Sequence, residues 1–213
     1  EQQKWYAGET ISLGIGQGYN NFTMLQLALA TSVIANDGVK MKPHLVKEVV
    51  DVVTRTSKET LKEIKAEAIA KPQNIAVIRN ALVGVNTEGT GATAFRGAAY
   101  VAAGKTGTAQ VVAIKQNEKY NAARTAERLR DHALYMAFAP ADNPKIALAM
   151  VVENAGFGGA NAAPIARRVF DYWLLGKMPT PEDMAAVQKG QAGPPGSAPN
   201  PPAATASSAV TAA

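Results

Sequence analysis

Three β-type runs follow one another in the middle of the chain: YVAAGKTGTAQVVAI (100–114), ALYMAFAPA (133–141) and KIALAMVVEN (145–154). Only Asp142-Asn143-Pro144 separates the second from the third, a turn-forming link far too short for a crossover connection. Those two runs are therefore expected to pair as an antiparallel hairpin. A charged connector, 115–131, joins the first run to the second. Helical spacing comes before and after. NFTMLQLALATSVIANDG offers Thr23 as N-cap and Asn36-Asp37-Gly38 as a stop, and reads as a buried helix. QNIAVIRNALVGVN is helical after Pro72, and APIARRVFDYWLLGK has Pro164 near its first turn and Gly176 near its end. LVKEVVDVVT, apolar at 46, 49, 50, 52 and 53, reads as a further strand. The order predicts an α+β fold, an antiparallel sheet flanked by helices, rather than a doubly wound sheet.

The 213 residues are 47% hydrophobic, enough for a core. With no cysteine, disulfides, thiolate catalysis and Cys-ligated zinc are excluded. The 22 basic and 17 acidic residues are dispersed, with no basic stripe of the kind a nucleic-acid partner requires. The longest apolar run, Ile146 to Val152, is far below the roughly 20 residues that cross a bilayer. From Lys189 onward the chain has no aromatic residue and no further charge, and Ala, Pro, Gly and Ser dominate. Such a stretch buries too little apolar surface to offset its ordering entropy. The expected division is a folded body, 1–178, and a disordered tail, 179–213. The start, EQQKWYAGET, has no Met and no signal-peptide pattern, and reads as the product of processing or truncation.

Chemistry concentrates at Gly104-Lys105-Thr106-Gly107-Thr108. A nucleotide-binding P-loop would need its first glycine at Ala99, and the residues that follow are strand-like rather than helical. GIGQGY, 14–19, has Tyr19 where a dinucleotide fingerprint needs its third glycine. Gly14, Gly16 and Gly18 are read instead as shaping backbone near a cleft. His44 and His132 lack metal-ligand spacing. On a strand, Lys105 and Gly107 share one face while Thr106 and Thr108 share the other. A cation and hydroxyls there can hold a carboxylate, and the glycine lets an extended peptide approach the backbone.

Lys105-Thr106-Gly107 resembles the third motif of the penicillin-recognising serine enzymes, K-T-G beside S-x-x-K and S-x-N. The resemblance extends from about Trp5 to Trp173. ISLGIGQGYNNFTMLQLALATSVIANDGVKMKPHLV, then GTGATAF, then VAAGKTGTAQ are similar to the C-terminal half of class B penicillin-binding proteins, in particular those of the elongation type.

That resemblance implies a partial penicillin-binding transpeptidase, β-lactamase-like fold, and a peptidoglycan D,D-transpeptidase activity with no cofactor and no metal. Lys105, Thr106, Gly107 and Thr108 would be the catalytic motif. Lys105, Thr106 and Thr108 would contact substrate, joined by the Gly89-Thr90-Gly91 turn, which reads equally as a plain loop. The Thr108 N–H would be one oxyanion donor. Implied partners are D-Ala-D-Ala stem peptides, β-lactams and proteins of the elongation machinery. The implied location is the periplasmic face of the bacterial inner membrane, with an anchoring N-terminal helix absent from this chain. The 115–131 connector reads as a solvated loop, although in the family this link borders the active site.

Two family motifs are missing. None of Ser12, Ser32, Ser57, Ser197, Ser207 and Ser208 has a lysine three residues on, and none of Ser12, Ser32 and Ser57 has an asparagine two residues on. The chain is therefore expected to be an inactive part of a transpeptidase. The alternative from another class is a non-catalytic penicillin-binding-like module for interaction or sensing.

Overall fold

The computed structural model describes residues 4–59, 67–112, 120–121 and 124–196. In chain order the elements are α1 (Ala7–Gly14), α2 (Met24–Ala35), β1 (Val39–Lys40), β2 (Glu48–Val50), β3 (Ser57–Glu59), β4 (Glu67–Ala68), α3 (Pro72–Thr87), α4 (Ala92–Phe95), β5 (Ala103–Ala109), β6 (His132–Ala139), β7 (Ile146–Val152), α5 (Gly158–Asn161), α6 (Ala163–Leu175) and α7 (Pro181–Gln188).

The α+β reading holds. β5, β6 and β7 form an antiparallel sheet in that order, and β6–β7 is the hairpin expected from its short turn. Alternation along the central strand feeds two cores. Ala133, Tyr135 and Ala137 of β6 pack with Phe95, Ala166 and Phe170 on one face. Phe138 packs on the other with Ala35, Ala103 and Ala141. Helices α4, α5 and α6 thus cover one side and α2 the other.

Local chemistry sets the helix boundaries. Gln26 N donates to Thr23 Oγ1 at 3.2 Å while Thr23 N donates to Gln26 Oε1 at 2.8 Å, a reciprocal cap at the start of α2. Burial is confined to the C-terminal part of α2, at Thr31, Val33 and Ala35, while Leu25 near its start stands in solvent; the expectation of a buried helix is corrected to that extent. Arg79 of α3 donates Nη2 to the Ile34 and Ala35 carbonyls and to Asp37 Oδ1 at 2.6 Å. A cation there completes the carbonyl end of α2.

Two expectations fail. The 45–54 run is not one strand: β2 turns back on β3, because Asp51 Oδ1 accepts N–H bonds from Val53 and Thr54 and closes the turn. These bonds hold the Asp51 carboxyl below its usual range. Secondly, Pro181–Gln188, assigned by composition to a disordered tail, is helix α7. It starts on Thr180, whose Oγ1 accepts from Asp183 N, and it is fastened to α6 by Arg168 and Asp183, both buried, at 2.6 Å. Residues 197–213 of that expected tail lie outside the described residues.

Candidate functional site

The K-T-G strand is β5, shorter than the apolar run that contains it, and it lies at one end of the three-stranded sheet. Register on β6 fixes which side chains share a face. Lys105 lies opposite Met136 and Gly107 opposite Leu134, while Thr106 lies opposite Tyr135 and Thr108 opposite Ala133. The sequence expectation for the two faces is therefore met.

Lys105 is exposed and donates Nζ to the Thr106 carbonyl at 2.8 Å. It shares a cavity of about 360 Å³ with Gly14, Ile15, Gly16 and Gln17, which follow from the end of α1. Gly14 and Gly16 thus do run beside the lysine, whereas Gly18 is not part of that lining. Thr106 and Thr108 border a second cavity of about 670 Å³, together with Thr90, Thr93 and Phe157. Thr90 Oγ1 and Thr106 Oγ1 are 2.7 Å apart and share a hydrogen bond. Of the Gly89-Thr90-Gly91 turn, only Thr90 reaches the strand in this way. Gly91 is buried against the Asn86 side-chain oxygen, where a Cβ would collide. Its role is shape.

Several supporting residues went unremarked in the sequence. Gly158, at the start of α5, sits so close to the backbone of Gly107 and Leu134 that a Cβ there would overlap both. The Gly158-Gly159 pair just before a helical run was the available signal, since paired glycines often mark close backbone approach. Asn86 and Tyr135 lie beneath the motif, and the Tyr135 OH donates to Asn86 Oδ1. Burial pushes the Tyr135 phenol well above its ordinary value, so it stays a neutral donor. Tyr100 is raised for the same reason, and its bond to Asp171 adds to the shift. Gly190 and Ala192, beyond α7, complete the lining of the larger cavity.

His132 has a structural place, with Nδ1 accepting from Asn154 N at 2.8 Å, and His44 is exposed. Among the described residues there is no group of three or more His, Asp or Glu side chains able to hold a metal. Of the connector, residues 115–119 and 122–123 lie outside the described residues. Its end forms a short turn at Glu127–Leu129, and Asp131 N donates to Tyr120 Oη at 3.2 Å.

The arrangement places an ammonium on one face of a terminal strand and four hydroxyl-bearing residues, Thr90, Thr93, Thr106 and Thr108, about the cavity on the other. It suits an anionic group at the end of an extended chain laid along the strand.

Residues 1–171 match the family described as the penicillin binding protein transpeptidase domain. The chain is 44% identical over 184 residues to the peptidoglycan D,D-transpeptidase MrdA of Haemophilus influenzae, covering 85% of this chain and 28% of that protein. It thus spans little more than a quarter of the length of such relatives. Among solved structures it resembles Pseudomonas aeruginosa PBP2 in complex with WCK 5153, with a TM-score of 0.64 and 38% identity over 81% of this chain and 34% of that one. It also resembles the complex between PBP2 and MreC from Helicobacter pylori, with a TM-score of 0.60 and 26% identity over 82% of this chain and 29% of that one.

Proposed function

The chain belongs to the penicillin-binding protein transpeptidase family, and from that premise we propose that it supplies the third-motif strand of an elongation-type peptidoglycan D,D-transpeptidase. The nucleophile is a serine of an S-x-x-K motif carried outside these 213 residues. Its oxygen attacks the carbonyl of the penultimate D-Ala of a stem peptide, the amide to the last D-Ala breaks, and that D-Ala leaves with a proton. An amine of a second stem then takes the acyl group from the ester and restores the serine hydroxyl. β-Lactams acylate the same serine. Lys105 attracts the substrate carboxylate and closes the proton network, Thr106 and Thr108 hold that carboxylate, and the Thr108 N–H faces the oxyanion.

The observation that carries this reading is the 2.7 Å Thr90–Thr106 bond. It joins the Gly-Thr-Gly turn to the K-T-G strand on the border of one groove. The same reading puts the protein at the periplasmic face of the inner membrane, anchored by a helix outside this chain. Among the described residues no helix is long and apolar enough to cross a membrane. Cell-wall elongation proteins are its partners, a reading supported by the resemblance to the Helicobacter pylori PBP2–MreC complex.

The test is labelling of the full-length protein with a fluorescent penicillin. Lys105→Ala removes a charge-assisted bond worth about 1.5–3 kcal/mol, so labelling should slow at least about tenfold. Labelling unchanged by Lys105→Ala would remove the motif from the chemistry. The alternative reading is a non-catalytic penicillin-binding-like module for interaction or sensing. A full-length protein that takes up no label would establish it.

A further inference from the structure

We infer that the segment from Pro181 to Gly193 is the outer wall of the substrate groove beside Thr106 and Thr108, and that it sets how wide a neutral substituent the groove accepts. The inference rests on the transpeptidase reading above and goes beyond it, because the segment lies past residue 171, where the family match ends.

Three observations carry it. The segment is locked down by one guanidinium: Arg168 of α6 donates Nη2 to Asp183 Oδ1 at 2.6 Å and to the Gly193 carbonyl at 3.1 Å, and Nη1 to the Pro164 carbonyl at 3.0 Å. Arg168 and Asp183 are both buried, so the bridge is shielded from the solvent screening that weakens surface pairs. It fastens both ends of the segment to α6, and Ala186 and Ala192 are buried with it. Next, the chain doubles back over α5. Gly190 has φ of 65°, and a Cβ on it would stand 2.8 Å from Asn161 Oδ1. The left-handed backbone favours glycine here, and a side chain would also have to push the Asn161 amide aside. Finally, that reversal brings Gly190 and Ala192 into the lining of the same cavity of about 670 Å³ as Thr90, Thr106, Thr108 and Phe157. Among the described residues no charged side chain lines that cavity, so a substituent lodged there is selected by width and by hydroxyl contacts rather than by charge.

Small residues at a wall limit width without filling the groove. A substituent that fits beside Gly190 and Ala192 is accepted, and a broader one meets a wall that Arg168 keeps from yielding.

The experiment uses the full-length protein and two acylating probes, 6-aminopenicillanic acid, which has no acyl side chain, and a penicillin carrying a bulky fluorescent acyl group. Acylation rates are compared in the wild type, in a variant ending after Met178, and in Asp183→Ala. Asp183→Ala leaves Arg168 buried and unpaired, whereas the shortened variant opens Arg168 to solvent, so the two unfasten the wall with different costs to stability. We expect the bulky-to-small rate ratio to rise about tenfold in both, the scale of discrimination that fit in a packed pocket provides. A ratio unchanged while both probes still react overturns the wall and leaves the transpeptidase reading standing. A wild type that reacts with neither probe overturns both.

Discussion

Tyr135 donates its hydroxyl to Asn86 Oδ1 at 2.7 Å, joining the central strand β6 to helix α3 across 49 residues of sequence. Asn86 passes the link on by donating Nδ2 to the Ala102 carbonyl at 3.0 Å, one residue before β5 begins. The strand that carries Lys105 is therefore positioned from below by a buried polar chain. Tyr135→Phe removes the donor and leaves Asn86 Oδ1 buried without its partner. We expect a loss of about 1–3 kcal/mol in unfolding free energy, read as a lower denaturant midpoint with an unchanged slope.

The same tyrosine gives the domain an alkaline limit. Burial raises the Tyr135 phenol in the folded state, whereas the unfolded chain ionises near its ordinary value of about 10. The neutral form favours folding, so the stabilisation is complete below that ordinary value and is lost as pH rises above it. Unfolding free energy measured from about pH 9 to about pH 11 should fall with a slope approaching 1.4 kcal/mol per pH unit for this group, to which Tyr100 adds. In Tyr135→Phe that part of the slope should vanish.

Much of this site is legible in the chain itself. Lys105, Thr106 and Thr108 fall on the faces that a period of two assigns, because β5 really is a strand and alternation holds across its whole length. Thr23 marks the start of α2 because its capping bonds are local. What escapes is what depends on distant partners. Helix α7 carries local start signals, Thr180 as N-cap with Pro181, Glu182 and Asp183 in its first turn, but it adjoins the Ala/Pro/Gly/Ser stretch, and Arg168, from a different helix, supplies the contact that fastens it. The hairpin turn at Asp51 was hidden by the valines around it, which suggested one strand. Those valines are exposed, so no core rewards a longer one.

Thr90 is expected to act through Thr106. In the full-length protein Thr106→Val removes a hydroxyl that, on the function proposed above, holds the substrate carboxylate, and penicillin acylation should slow about tenfold. Thr90→Val removes only the partner that orients that hydroxyl, and the loss should be about two- to tenfold. The double variant should lose little more than Thr106→Val alone. Additive losses in that cycle would mean that Thr90 contacts substrate independently.

Gly158→Ala should be costly although it adds one methyl group. The new Cβ would meet the Gly107 and Leu134 backbone, which cannot rotate away as a side chain does. Either α5 lifts or β5 shifts. We expect about 1–3 kcal/mol of destabilisation by denaturant unfolding, together with slower acylation in the full-length protein. The matching change at Gly156, which has open space around it but φ of 79°, should cost backbone strain without touching the acylation rate.

The ion pair of α6 makes the sharpest stability prediction. Arg167 Nε donates to both Asp171 oxygens, at 2.8 and 2.9 Å, and each side chain is only 7% exposed. Arg167 also donates Nη1 to the carbonyls of Ala94 and Arg96, and Tyr100 Oη donates to Asp171 at 2.7 Å. One pair therefore ties α6 to the end of α4 and to the approach of the K-T-G strand. Asp171→Ala strands a buried guanidinium and should cost about 3–5 kcal/mol, while Asp171→Asn keeps an acceptor for Arg167 and should cost less. Replacing both charges with leucine should recover most of the loss, because two charges then escape desolvation together. Denaturant unfolding of the three variants separates the cases. If Asp171→Ala costs no more than an exposed pair, about 1 kcal/mol or less, water reaches Arg167 and the tie to α4 is not held by charge.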